Sequence, residues 1–416
     1  MADARLLAGA GIFVLTFALL SLRSIRSYRI DRPAVALFGA ALMLAFGIVT
    51  PAQAVSAISL DVILLLLGMM LLVAGLDVCG FFDLVSRKIA ESSRSQVHFL
   101  ALLFVATAVM SALVLNDTIV LLMTPVVVKT CRALKVKAVP FLVALALAAN
   151  IGSVATPVGN PQNAFIAIQG QIPFATFALR LLPVAAVSLV IGLVVVGLAF
   201  RRDLSVPVEG FSAARKAAPV LVQRRGLALT LAVVVGTVAA FSLSRPDMLP
   251  FAALSGGALI LLLLPAVANT TPRTLFEKVD WSILILFVGL FIVMKGVETS
   301  GLLQAILDQV GGATRDVWRL SSATALVSNL VSNVPAVLLL APVVVASAPP
   351  REALWLALAA SSTLAGNATI LGAAANIIVV QVAAKAGVEV SMMEFVKAGL
   401  ATALLTLAVA AAILSL

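Results

Sequence analysis

Apolar runs of about 20 residues recur along almost the whole chain. A run of that length spans the hydrocarbon core of a bilayer as a helix. Lipid offers no partner to backbone N–H and C=O groups, so each must be paired internally, which means helices here. The fold class expected is therefore an all-α polytopic membrane protein. Composition excludes the alternatives. The chain is 62% hydrophobic and 11% charged, with mean hydropathy +1.18, whereas soluble domains carry about 25% charged residues. The first run, near 5–22, reads as a retained span rather than a signal peptide.

Ten full spans are expected, near 5–22, 33–49, 59–77, 138–169, 174–200, 225–243, 248–268, 280–297, 352–385 and 391–415. Two of them, 138–169 and 352–385, are too long for a simple crossing and read as broken helices. Two more apolar regions, 96–131 and 315–347, are interrupted by Asn116-Asp117-Thr118 and Ser332-Asn333-Val334-Pro335. Their arms of about 15–18 residues are short for a full crossing, so each region reads as a re-entrant hairpin with a polar tip.

The charges support this. The net charge of +10 does not point to nucleic acid, because the basic residues fall in short loops, where they set topology. Arg23, Arg26, Arg29 and Arg32 place the first loop in the cytoplasm. Arg87, Lys88 and Arg94 precede the first hairpin, and Lys129, Arg132, Lys135 and Lys137 follow it. Both clusters lie inside only if 96–131 enters and returns.

The chain also repeats itself. Ala155-Thr156-Pro157-Val158-Gly159-Asn160-Pro161-Gln162-Asn163 recurs as Ala368-Thr369-Ile370-Leu371-Gly372-Ala373-Ala374-Ala375-Asn376. Gly68, Gly75 and Gly80 match Gly289, Gly296 and Gly301; Asp77 matches Glu298, and Asn116 matches Asn333. Each half holds five spans and one hairpin. Five is odd, so the second half is inverted. The expected units are a first repeat at 1–200, a cytoplasmic linker at 201–224 and a second repeat at 225–416. Inverted repeats with broken helices near the midplane mark secondary transporters.

In the first broken helix, Gly152, Pro157, Gly159 and Pro161 remove helix preference and backbone donors. The freed backbone groups need partners, which a solute or ion can supply, alongside Asn150, Ser153, Thr156, Asn160, Gln162 and Asn163. A kink satisfied by neighbouring helices is the plainer alternative. The matched copy with Asn367, Thr369, Gly372 and Asn376 favours binding. At the tips, Asn116 and Asn333 are expected to cap the second arm of each hairpin, with Thr118 and Ser332 beside them. Asp117 has no basic partner near it in sequence. An intramembrane carboxylate is a functional candidate by default, and low dielectric favours its neutral form, so Asp117 is the candidate for proton coupling. The second half has Val334 in its place. Asp77 and Glu298 read as helix-end groups, Lys295 as a snorkelling side chain, and His98 as interfacial. Cys79 and Cys131 have no metal-ligand spacing and read as packing residues. No nucleophile–base or metal set is visible, so neither an enzyme nor a resident cofactor is expected.

These motifs resemble the ion-transporter superfamily, which includes arsenite/antimonite permeases, sodium/proton antiporters and divalent-anion:sodium symporters. The stretch Asn150-Ile151-Gly152-Ser153 through Asn163 is most similar to the citrate-transporter-like, arsenite-permease-related branch that contains plant silicon efflux transporters. So are Ser332-Asn333-Val334-Pro335 and Ala365-Gly366-Asn367-Ala368-Thr369 with Gly372 and Asn376. The resemblance covers essentially the whole chain. It implies a scaffold and a moving domain, elevator-type alternating access, a homodimer, and a multi-pass place in the cell's inner (plasma) membrane. It also implies proton or sodium as coupling ion, with sodium near Asn116 and Asn333. Dicarboxylate symporters of the superfamily carry Ser-Asn-Thr at both tips. Here one tip holds a fixed negative charge, and no Arg or Lys is expected at the site to offset it. That disfavours a polyanion. The expectation is a transporter of a small inorganic solute, a silicic acid- or arsenite-like oxyacid, proton-coupled through Asp117. A sodium-coupled anion or carboxylate symporter and a sodium/proton antiporter stand as alternatives.

Overall fold

A computed structural model describes residues 2–21, 24–25, 28–29, 31–205, 221–305 and 316–416. The fold is helical. Among the described residues the one β pairing is a two-residue ladder, Ser24–Ile25 against Tyr28–Arg29. The helices are α1 (Ala2–Ser21), α2 (Arg32–Ala45), α3 (Pro51–Ala57), α4 (Leu60–Val78), α5 (Phe81–Ser92), α6 (Gln96–Leu113), α7 (Asn116–Leu134), α8 (Val139–Ser153), α9 (Pro161–Gln169), α10 (Phe174–Ala199) and α11 (Arg201–Leu204). After the part of the linker that lies outside the described residues come α12 (Arg224–Leu243), α13 (Leu249–Val267), α14 (Pro272–Glu277), α15 (Trp281–Thr299), α16 (Val317–Val331), α17 (Asn333–Ala346), α18 (Glu352–Ala365), α19 (Ala374–Lys385) and α20 (Met392–Leu414). The expected first residue of the second hairpin, 315, also lies outside the described residues.

Among the described residues seven segments, against the ten spans expected, are long and apolar enough to cross a membrane: α4, α6, α10, α12, α13 with the turn before it, α15 and α20. The chain is a polytopic membrane protein. Both expected breaks are present. Helix α8 stops at Ser153 and α9 starts at Pro161; α18 and a short 3-10 turn end at Ala368 and α19 starts at Ala374. Residues of the first break include Pro157, which lacks an N–H, and Gly159. Helices α8 and α18 are almost fully buried and mostly apolar, with their buried polar residues, Asn150, Ser153, Ser361, Ser362 and Thr363, gathered toward the breaks. Helix α6 packs on α8, and α16 packs on α18.

The arms of the two hairpins differ in length. Helices α6 and α7 have 18 and 19 residues, which is about 27–28 Å at 1.5 Å per residue; α16 and α17 have 15 and 14. The first pair is therefore longer than the sequence reading set, and length alone does not make it re-entrant.

Outside this central group, α4 packs on α13 and α15 on α2. The matched glycines Gly68 and Gly289 permit this. A Cβ on Gly68 would lie 2.3 Å from the Ala253 carbonyl group, and one on Gly289 2.6 Å from the Ala36 carbonyl carbon. Small residues let membrane helices approach this closely.

Candidate functional site

The two breaks meet at the protein's centre, and the matched asparagines satisfy the backbone that the breaks leave unpaired. Asn163 Nδ2 donates to the carbonyls of Ser153 and Thr156 at 3.0 and 3.1 Å. Asn376 Nδ2 donates to Gly366 and Thr369 at 2.7 and 2.9 Å. Asn160 caps α9, its Oδ1 accepting from Asn163 N at 2.9 Å; Ala373, at the matching place, gives α19 no side-chain cap. Gly159 is fixed by contact, because a Cβ would stand 2.5 Å from the Ser153 carbonyl oxygen.

Amide-to-amide bonds then join the halves. Asn150 Nδ2 donates to Asn367 Oδ1 and Asn376 Oδ1, both at 2.9 Å, and Asn150 Oδ1 accepts from Asn116 Nδ2 at 3.2 Å. Thr363 Oγ1 accepts from Asn160 Nδ2 at 3.1 Å and from Gln162 Nε2 at 3.2 Å. With its amide nitrogen toward the Ser362 and Gly372 carbonyls, Asn333 donates to them at 3.0 and 2.9 Å. In that orientation it also donates to Ser328 Oγ at 2.8 Å and accepts from Gln162 Nε2 at 3.2 Å. The orientation is assigned from the network, since the reverse sets oxygen against oxygen. Three atoms in this region, Asn163 Oδ1, Asn329 Oδ1 and Asn367 Nδ2, are buried without a hydrogen-bond partner.

The hairpin tips do not use their asparagines as N-caps. Leu115 and Ser332 occupy the cap positions of α7 and α17, with no side-chain cap bond. Asn116 N donates instead to the Gly159 carbonyl at 2.9 Å, and Asn116 Oδ1 accepts from Asp117 N at 2.9 Å. The tips are thus tied to the breaks. Ser332 sits at φ 76°, ψ 166°, a region almost confined to glycine that costs about 1–3 kcal/mol.

Beside the network lies a cavity of about 180 Å³, below the roughly 300–1,000 Å³ of clefts for drug-sized ligands. Its polar lining is Arg32, Asn116, Asp117, Gln162, Asp280, Ser282, Ser332 and Asn333. Two of these correct the sequence reading. Arg32 opens α2 and lines the cavity, its Nη1 donating to Ser332 Oγ at 3.5 Å. Its place at the end of an arginine series made it look like a topology signal alone. Asp280 caps α15, accepting from Ser282 N at 3.0 Å.

The lining also shows a convergence invisible in sequence. Residues at the N-termini of six helices face the cavity: α2 (Arg32, Pro33), α7 (Asn116, Asp117), α9 (Pro161, Gln162), α15 (Asp280, Ser282), α17 (Ser332, Asn333) and α19 (Ala373, Ala374). Four of the six, α2, α7, α17 and α19, have no side-chain cap. Each N-terminus carries up to about +0.5 charge, although at α7 the first two N–H groups are already bonded to the Gly159 carbonyl and to Asn116 Oδ1. The cavity therefore suits oxygen-rich solutes.

Of the candidate residues, Asn116, Asp117, Gln162, Ser332 and Asn333 line this cavity. Asn150, Ser153, Asn160, Asn163, Asn367 and Asn376 form the buried network behind it. Gly152, Gly159 and Gly372 lie in close backbone packing. Thr156 Oγ1 donates to the Ala112 carbonyl at 2.5 Å. Thr369 lines a separate apolar groove between α16 and α20. Thr118 lies outside the cavity lining. Sequence reasoning missed Thr363, Ser111 and Ser328. Ser111 Oγ donates to Ala149 O at 2.6 Å, and Ser328 Oγ to Ser362 O at 2.9 Å. Their matched positions before the two tip asparagines were a usable signal.

Comparison with known proteins gives a consistent relationship. Residues 16–361 match the citrate transporter family, CitMHS. The chain is 31% identical over 424 residues to a 46 kDa membrane protein of Mycobacterium leprae (strain TN), covering 96% of each chain. It is 30% identical over 423 residues to the silicon efflux transporter LSI3 of Oryza sativa subsp. japonica, covering 86% of each. A shorter stretch, 179 residues at 35% identity, matches a Dictyostelium discoideum transporter named arsB, covering 42% of this chain and 31% of that protein.

Proposed function

The chain belongs to the citrate transporter family of the ion-transporter superfamily, and from that premise we propose that it is a proton-coupled secondary transporter of a small oxyacid. The observation that carries this is the convergence of six helix N-termini on one small cavity. A compact solute bearing several oxygens can accept from many of them at once. The names of the rice and Dictyostelium relatives support a silicic acid- or arsenite-like solute. Relatives named as transporters favour transport over catalysis.

Charge separates this from a polyanion carrier. Arg32 contributes +1 and Asp117 and Asp280 −1 each, so the formal sum is −1 with both acids ionised. The arginine that the sequence places only in a topology-setting loop is thus balanced by Asp280. In our reading Asp117 carries the coupling proton, and the buried asparagine network holds the breaks in shape behind the solute. In our reading the two halves are inverted repeats, 1–200 and 225–416; serine and asparagine bonds at and just before the breaks that recur in pairs support the duplication. Under the positive-inside assignment, the starts of α2 and α15 lie toward the cytoplasm, so this cavity faces inward. We place the protein in the inner membrane as a homodimer working by an elevator-type movement.

Purified protein in sodium-free liposomes tests the coupling. Silicic acid flux should move protons, and Asp117→Asn should reduce the coupled proton movement at least about tenfold. Transport that requires sodium and survives Asp117→Asn would overturn proton coupling. Sodium-driven proton flux without solute would select an antiporter.

A further inference from the structure

Arg32, Asp117 and Asp280 are the only ionisable side chains lining the cavity among the described residues, and they stand on three different helices. Asp117 belongs to the tip of α7, tied through Asn116 to the break after α8. Arg32 and Asp280 begin α2 and α15, which pack on each other. The cap that Asp280 gives α15 needs an oxygen acceptor, not a charge, since asparagine caps as well as aspartate. The charge of Asp280 therefore adds only a modest helix-dipole contribution to folding at that place, and it sets a negative group against a cavity built from helix N-termini that otherwise attract anions.

We propose that the Arg32–Asp280 wall sets which solute charge the cavity accepts, selecting an uncharged oxyacid over a monovalent oxyanion. This rests on the transport reading above. With both acids ionised the formal sum of −1 opposes a monoanion, while an uncharged polyhydroxy solute keeps its donors to the carboxylates and its acceptors to Arg32 and the helix ends. Removing the Asp280 charge raises the sum by one in either state of Asp117, from −1 to zero or from zero to +1, and the helix N-termini then favour an anion. Asp280 thus acts as a permanent filter, whereas Asp117 also follows the coupling proton.

The test compares silicic acid and formate uptake into sodium-free liposomes near neutral pH. Wild-type protein should carry silicic acid and discriminate against formate. Asp280→Asn, which retains the cap, should raise the formate-to-silicic acid rate ratio at least about tenfold, and Arg32→Gln in that background should reverse the gain. If Asp280→Asn does not fold, Ser282→Lys restores the same formal sum without touching the cap, and the same rise is expected. Wild-type protein that carries silicic acid, with a ratio unmoved by these variants, overturns charge selection and leaves the transport reading standing. Wild-type protein that carries formate as fast as silicic acid also overturns it. Wild-type protein inert to both probes overturns the transport reading, and this filter with it.

Discussion

Asn150 makes three of the amide-to-amide bonds that tie the interior together. It accepts from Asn116 and donates to Asn367 and Asn376, so one side chain joins a hairpin tip to both halves. Asn150→Ala strands three buried amide groups, each costing about 1–3 kcal/mol at most, and thermal unfolding in detergent should show a loss of at least about 1 kcal/mol. Gly159→Ala sets a Cβ against backbone rather than a pliable side chain; a cost of about 1–3 kcal/mol is expected, read as lower folded yield and melting temperature. The repeated asparagines were legible in the sequence as polar groups at a break. Their bonding was not. Asn163 and Asn376 serve the broken turns' own carbonyls, a local role that a motif cannot distinguish from solute contact. Arg32 and Asp280 were illegible for a different reason: they stand at loop boundaries and reach the cavity only through the packing of α2 on α15.

At the level of elements, six of the ten expected spans and both breaks could be read from run length, proline and glycine, because lipid forces helices and these residues end them. The tips were less legible. Asn116 and Asn333 look like caps in sequence, yet the backbone places Leu115 and Ser332 there. Ser332 holds a positive φ while its Oγ accepts from Arg32. Ser332→Gly should relieve that strain and raise stability by about 1 kcal/mol while slowing transport, measured as melting temperature and flux on the same preparation. A variant both less stable and fully active would contradict this account of the tip. The glycine pair Gly68 and Gly289 was visible as a match, and its meaning, backbone approach between α4 and α13 and between α15 and α2, needed the packing.

For the whole molecule, the central claim is that the small cavity between the two tips is the solute's site and opens toward the cytoplasm. Val334 lines that cavity without entering the asparagine network, and the two native cysteines, Cys79 and Cys131, are buried and free. The most direct measurement is labelling of Val334→Cys, with both native cysteines replaced by alanine, in oriented membrane vesicles by a membrane-impermeant maleimide. Faster labelling from the cytoplasmic face, slowed several-fold by silicic acid, is the result predicted. Labelling unaffected by the solute, or confined to the opposite face, would contradict it.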